Sequence, residues 1–166
     1  MWIRTETQAD HAAIAAVIAA AFVDQPGEGR TEQRIVEALR ADGALSLSLV
    51  ADIDGRIAGH VAFSPVRVGD GAERWFGLGP VAVTPADQHN GVGTALIRAG
   101  LSELAERGAL GCVVLGEPEY YQRFGFRHQP GLRFGDVPQQ YFQALAFGDR
   151  VAEGEVAYHP GFTAPP

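Results

Sequence analysis

The sequence predicts an α/β domain of the segregated, α+β kind: a mixed, mainly antiparallel central sheet flanked by helices. Three observations predict it. Two strand runs, 45–53 and 57–68, meet at Asp54-Gly55, a strong short hairpin signal. Gly69-Asp70-Gly71 turns the chain again into a third run, 75–83, so the three runs form an antiparallel meander. A helical pattern over 92–107 then leads into a short, wholly apolar strand at 112–115, the kind that lies buried beside a parallel neighbour. The 166 residues fit one domain, long enough to bury roughly 70% of the unfolded surface without staples.

Each element has its own signal. Residues 2–5 read as a first strand. Thr7 and Thr31 are N-cap candidates before Ile, Val and Leu at helical spacing. The first helix carries Ile14, Val17, Ile18 and Phe22 on one face, and the second carries Ile35, Val36 and Leu39 and stops by Gly43. Between them, 24–30 contains Pro26, Gly27 and Gly29 and reads as a loop able to cover a site. The 92–107 helix puts Leu96, Ile97, Gly100, Leu101 and Leu104 on its core face and ends at Gly108. A short helix over 119–124 ends at Gly125, and irregular strands occupy the remainder. The order is β-α-α-β-β-β-α-β-α-β, with one domain over 1–158 and a Pro/Gly-rich tail over 159–166.

Composition removes much chemistry. The 13 basic residues are all arginine, so a Walker-type lysine and a lysine Schiff base are ruled out. One cysteine, Cys112, excludes an intrachain disulfide and a multi-cysteine zinc site, and no metal is expected. A net charge of −7 argues against a nucleic-acid partner and favours cationic substrates such as amines. The longest apolar run, 12–22, falls short of the ~20 residues of a membrane span. Glu6, Asp10 and His11 precede it where a signal peptide would carry positive charge, so the expected location is cytoplasmic, away from any membrane. Oligomeric state is open, a homodimer included.

The informative segment runs from Gly79 to Thr94. Pro85 ends a strand near Val83, and a loop with Gly91 and Gly93 opens directly into the long helix. A helix N-terminus presents unpaired N–H groups and the positive end of its dipole, and glycine lets an anion approach the backbone. On these residues alone, the loop is either an anion site or a tight turn without a ligand. The dinucleotide fingerprint fails for want of a third glycine.

Gln88-His-Asn-Gly91-Val-Gly93 resembles the Gln/Arg-x-x-Gly-x-Gly/Ala motif of the GNAT-type N-acetyltransferase superfamily. Tyr120-Tyr-Gln-Arg-Phe-Gly-Phe126 resembles that family's second signature, and 154–162 is similar to the C-terminal signature of a bacterial branch of small acetyltransferases. The resemblance spans roughly residues 1–133, and the element order agrees with the family fold. It implies acetyl-CoA as co-substrate, held by Val81, Ala82 and Val83 of the central strand and by Gln88, His89, Asn90, Gly91, Val92, Gly93 and Thr94 of the loop. It also implies Tyr121 as general acid. His89 and Asn90 stand where many members carry Arg or Lys, and Asp87 where an aromatic residue is frequent.

The residue chemistry agrees with that role. A phenol of pKa ~10 stays protonated at neutral pH and can donate to a departing thiolate. Tyr120 and Phe124 are four apart, the spacing of a packing pair. The general base is not readable. Glu117 follows the apolar strand and is a candidate, although a first-turn carboxylate beside Pro118 also suits the helix dipole. Asp24 and Glu28 sit on the loop where they could meet a cation, His11 and His60 read as structural, and Cys112 reads as a buried hydrophobe. The expected activity is acetyl transfer to a small-molecule or peptide amine by direct attack in a ternary complex. The alternative is a non-catalytic acyl-CoA-binding module.

Overall fold

In the computed structural model, which describes residues 1–25 and 27–163, β1 (Trp2–Thr5) leads through a 3-10 turn at Gln8–Asp10 into α1 (His11–Ala21). Thr7 starts that turn as expected, its N–H donating to the Asp10 carboxylate at 2.7 Å. The second helix, α2 (Glu28–Ala41), begins earlier than Thr31. Gly27, at φ 89°, takes the left-handed conformation at its start, and the Thr31 hydroxyl donates back to the Gly27 carbonyl at 3.1 Å. The loop expected over 24–30 therefore ends before Glu28, and its Pro26 lies outside the described residues.

The meander follows as β2 (Leu47–Ile53), β3 (Arg56–Pro65) and β5 (Trp75–Val83), with β4 (Arg67–Val68) splitting off after Pro65. Next come α3 (Val92–Glu106), β6 (Gly111–Leu115) and α4 (Pro118–Tyr121), which continues as a 3-10 turn to Phe124. The remainder holds β7 (Arg127–His128), β8 (Leu132–Arg133), β9 (Phe142–Ala146) and β10 (Gly154–Ala157). The main sheet runs β1-β2-β3-β5-β6-β9-β7, and within it β5 and β6 are the parallel pair. A second sheet, β4-β10-β8, completes the fold, so the mixed, mainly antiparallel architecture holds and the expected order is extended by these short strands. The segment expected as a tail makes a 3-10 turn at Pro160–Phe162, where the Gly161 position lies 2.9 Å from the Ala38 methyl of α2 if given a Cβ. Residues 164–166 lie outside the described residues.

Three apolar clusters hold the layers. α3 packs on one face through Leu96, Ile97, Leu101 and Leu104 against Leu49, Val61 and Phe63. Gly100 permits this closeness, since a Cβ there would stand 2.2 Å from the Phe63 ring. On the other face α1 and α2 cover Val50 and Ala82, while Val156, Trp75, Val113 and Phe142 form a core beneath the second sheet.

One constraint inside the sheet positions the site. β5 pairs with β6 only through Trp75–Gly111, Phe76–Cys112 and Gly77–Val113, whereas β9 follows β6 to Leu115. On its other edge β5 stays with β3, but the register slips between Val61–Val81 and Phe63–Leu78, a bulge at Gly79-Pro80. A bulge bends its strand. From Leu78 onward the edge of β5 that faced β6 has no strand partner among the described residues.

A buried polar cluster fastens α1 and α2 to this sheet. Glu6 accepts from Arg40 of α2 at 3.1 Å twice, lies 2.9 Å from His11 Nε2 of α1, and accepts from the Ser48 hydroxyl. Ser48 in turn contacts Nε2 of the fully buried His60 at 2.8 Å. Burial pushes His60 down to about 4, with Glu6 opposing and Arg40 assisting that shift. Burial also opposes ionisation of Glu6, yet hydrogen bonds from Arg40 and Ser48 outweigh it and hold that carboxyl below its usual range. Below about pH 6.5 the unfolded chain takes up a proton on His60 that the folded chain refuses, so stability falls as pH drops toward 4. The expected loss over that window is about 3 kcal/mol, with Glu6 adding to it at lower pH. Urea unfolding midpoints measured from pH 7 to 4 test this: His60→Gln should flatten the decline above pH 4.5, and an unchanged decline would place its origin elsewhere.

Candidate active site

The loop after β5 is built to face its backbone outward. Thr84 precedes a 3-10 turn at Pro85–Asp87, and Gln88 returns to an extended conformation with its side-chain amide donating to the Val83 carbonyl at 2.9 Å. His89 and Gly91 then adopt positive φ, 66° and 83°, and α3 starts with no side-chain cap. The amides at 92–94 have no acceptor within the helix and carry the positive end of a four-turn dipole.

Nine of the ten residues expected to hold the cofactor surround one groove of about 610 Å³ beside this loop; Asn90 does not line it. Asp87, the acid beside the loop, is engaged by the Arg56 guanidinium at 2.7 and 3.2 Å and by the Thr84 hydroxyl. Those hydrogen bonds, Arg56 first, hold its carboxyl below the usual range and pair its charge. Two groove residues with polar side chains, Arg123 and Tyr120, were not anticipated there. Arg123 is the one guanidinium lining the groove among the described residues; its Nε donates to the Tyr120 carbonyl at 2.9 Å and its plane lies 4.4 Å from the Tyr120 ring centre. Tyr120 packs edge-on against Phe124 at 5.5 Å as its spacing predicted, but its hydroxyl also reaches Thr94 Oγ1 at 3.3 Å and the groove. The signal for Arg123 was present in its place within the aromatic signature.

Tyr121 faces a second cavity, of about 870 Å³, where β5 and β6 diverge. Its ring packs against Gly116, where a Cβ would stand 2.4 Å from it, and lies edge-on to Phe126 at 5.9 Å. Burial, helped by Tyr120 and Cys112, pushes the phenol up to about 12, so it remains a proton donor throughout the neutral range. The two cavities share Phe22, at the end of α1, and Val81, on the bare stretch of β5.

The other candidates fall outside this arrangement. Glu117 is exposed at the start of α4, its carbonyl accepting from the amides of Tyr120 and Tyr121 at 3.1 Å, and its side chain lines neither cavity. Asp24 is exposed and lines neither. His60 and His11 belong to the cluster beneath α1 and α2. Cys112 is buried, and that burial raises its pKa far from the thiolate range. Among the described residues no group of three His, Cys, Asp or Glu side chains is placed to hold a metal, and no helix is long and apolar enough to cross a membrane.

Comparison with known proteins gives the same architecture. A family model described as the acetyltransferase (GNAT) domain matches residues 2–129. The uncharacterized N-acetyltransferase YhbS of Escherichia coli K12 is 40% identical over 170 residues, covering 98% of either chain. A GNAT family acetyltransferase from Brucella melitensis, solved in complex with acetyl-CoA, superposes with a TM-score of 0.85 at 48% identity over 97% of each chain. The crystal structure of E. coli YhbS in complex with CoA superposes with a TM-score of 0.89 at 35% identity, over 98% of this chain and 92% of that one. On the match of domain, sequence and fold, the chain belongs to the GNAT family of acetyltransferases.

Proposed function

We propose that this protein transfers the acetyl group of acetyl-CoA to a primary amine by direct attack in a ternary complex, in the cytoplasm where acetyl-CoA is made. The observation that carries the reading is the meeting of two cavities at Val81 and Phe22, one lined by helix-start amides and the other by a protonated phenol. The pyrophosphate sits on the amides of 89–94, with Arg123 as its guanidinium partner, and the pantetheine arm pairs with the bare edge of β5. Relatives crystallised with acetyl-CoA and CoA support that occupant.

The amine enters from the larger cavity. Its lone pair forms the new N–C bond, the C–S bond breaks, and Tyr121 gives its proton to the departing thiolate. The proton shed by the nitrogen returns the phenol to its starting state through water. No carboxylate is assigned as base, and Glu117 lines neither cavity.

Replacing Gly91 with valine forces a branched side chain into a left-handed conformation at φ 83° and moves the amides that follow. CoA affinity measured by calorimetry should fall at least about tenfold, equivalent to ~1.4 kcal/mol, in a variant whose melting is unchanged. Arg123→Ala should weaken CoA by a smaller factor and flatten the dependence of Kd on salt; equal slopes in the two proteins would remove Arg123 from the phosphate site.

Tyr121→Phe keeps the ring against Gly116 and removes the proton. Turnover of a competent amine should drop by roughly 10²–10⁴ with little change in acetyl-CoA affinity. The fall in kcat that reports the phenol should lie above pH 10 in the unmodified enzyme and vanish in the variant. Wild-type kcat in Tyr121→Phe, with chemistry rate-limiting, would make Tyr121 a packing residue. CoA binding with no turnover of any amine would instead mark an acyl-CoA-binding module.

A further inference from the structure

The cavity beside Tyr121 has a chemical character of its own. Its volume, about 870 Å³, lies in the range that encloses a small molecule. The second sheet and the Pro160–Phe162 turn supply much of one wall. There Phe134 meets Tyr158 edge-on at 4.9 Å, and Tyr158 leans on Phe162 at 5.1 Å, forming a continuous aromatic surface. Burial holds the Tyr158 phenol firmly neutral. Ile35, Leu78, Pro80 and Leu115 extend the apolar lining from α2, β5 and β6.

Against this wall stand two carboxylates, Glu32 of α2 and Glu155 of β10, and no Arg, Lys or His lines the cavity among the described residues. Glu155 accepts from the Gly135 amide at 2.8 Å, which fixes its carboxylate at the end of the second sheet. The sign of charge is therefore opposite on the two sides of Val81: helix-start amides and Arg123 in the groove, carboxylates in the cavity. The wall itself is anchored, because His159 Nε2 lies 3.0 Å from Asp42 and its Nδ1 accepts from the Gly161 amide at 2.9 Å, tying the turn to the end of α2.

We infer that the acceptor is a small cationic amine carried on an apolar, preferably aromatic, body. The inference rests on the acetyl-transfer reading and deepens it. The carboxylates draw the ammonium form into the cavity, where it gives one proton to water before its lone pair can attack, and the aromatic wall takes the body. Polyamines and aminosugars fit poorly, because the wall leaves their additional charges or hydroxyl groups desolvated with few partners. Acidic acceptors are excluded by the two carboxylates.

The test pairs turnover with binding. Steady-state rates with acetyl-CoA are measured for 2-phenylethylamine, spermidine, glucosamine and an alanine-led tetrapeptide, and equilibrium binding of 2-phenylethylamine is measured on the CoA-saturated protein. The expected kcat/KM for 2-phenylethylamine exceeds each of the others by at least about tenfold. In the Glu32→Gln/Glu155→Gln double variant, which keeps shape and hydrogen-bonding oxygens, its Kd and KM rise at least about fivefold while the KM for acetyl-CoA stays constant. Equal or better use of spermidine, glucosamine or the tetrapeptide overturns the inference and leaves acetyl transfer standing, as does an unchanged Kd in the double variant. Charge-sensitive binding of 2-phenylethylamine without turnover of any amine supports the cavity assignment and overturns acetyl transfer. Absence of both overturns both.

Discussion

The separation of β5 from β6 after three residue pairs is the constraint on which the site depends. Parallel strands in a continuous sheet would satisfy each other's backbone groups and leave nothing between them. Here β9 holds β6 in place to Leu115, while the bulge at Gly79-Pro80 bends β5 away and keeps it paired with β3. The bare edge so created carries N–H and C=O groups that need partners, and an extended amide-bearing ligand is the natural complement. The same divergence makes room for two cavities, one on each side of Val81. A single irregularity thus provides a strand-like binding edge and a passage between two ligands.

Charge is distributed to match. A chain of net charge −7 has no lysine to offer an anion, and its proposed anion site is built chiefly of backbone. The start of α3 presents uncapped amides, Arg56 occupies Asp87, and Arg123 adds a cation fixed on the Tyr120 ring. Arg56 matters because an unpaired carboxylate at position 87 would set a negative charge beside the helix start proposed to take the phosphate. Across Val81 the lining carries carboxylates instead, those of Glu32 and Glu155.

The glycine-bearing turn before α3, the meander and the long helix were legible because each depends on local rules: glycine at positive φ, Asp-Gly between strand runs, and apolar residues at helical spacing. Thr31 misled because threonine competes for the cap and also bonds back within a first turn, and only the left-handed Gly27 decides between them. The strands after Gly125 were legible only as irregular strands, without bounds, for another reason. β7, β8 and β10 are two to four residues long, too short for a period, and are held by partners far along the chain, such as Val68 opposite Val156. The aromatic signature located Tyr121, but its separation from Tyr120, one facing the cavity and the other the groove, is set by the pitch of a four-residue helix on a splayed sheet. Glu117 had the right sequence neighbours, yet it is exposed and lines neither cavity, which no pattern in one sequence encodes.

The cluster of Glu6, Ser48 and His60 contains the side chains of a hydrolytic triad but not its order. In such a triad the acid orients the imidazole through Nδ1 and leaves the serine free to attack. Here Glu6 is bonded to Ser48 itself, His60 Nδ1 has no partner among the described residues, and the imidazole is buried and neutral. The serine hydroxyl is used up in joining the acid to the histidine, so the cluster has no nucleophile to offer. Its effect is mechanical. Arg40 and His11 reach Glu6 from α2 and α1, the helices that place Ile35, Glu32 and Phe22 around the cavities. Because α2 also receives the Pro160–Phe162 turn, the two walls of the acceptor cavity share one anchor. The unfavourable burial of His60 is tolerated where it helps fix the helices that bring Phe22 and Ile35 to the cavities.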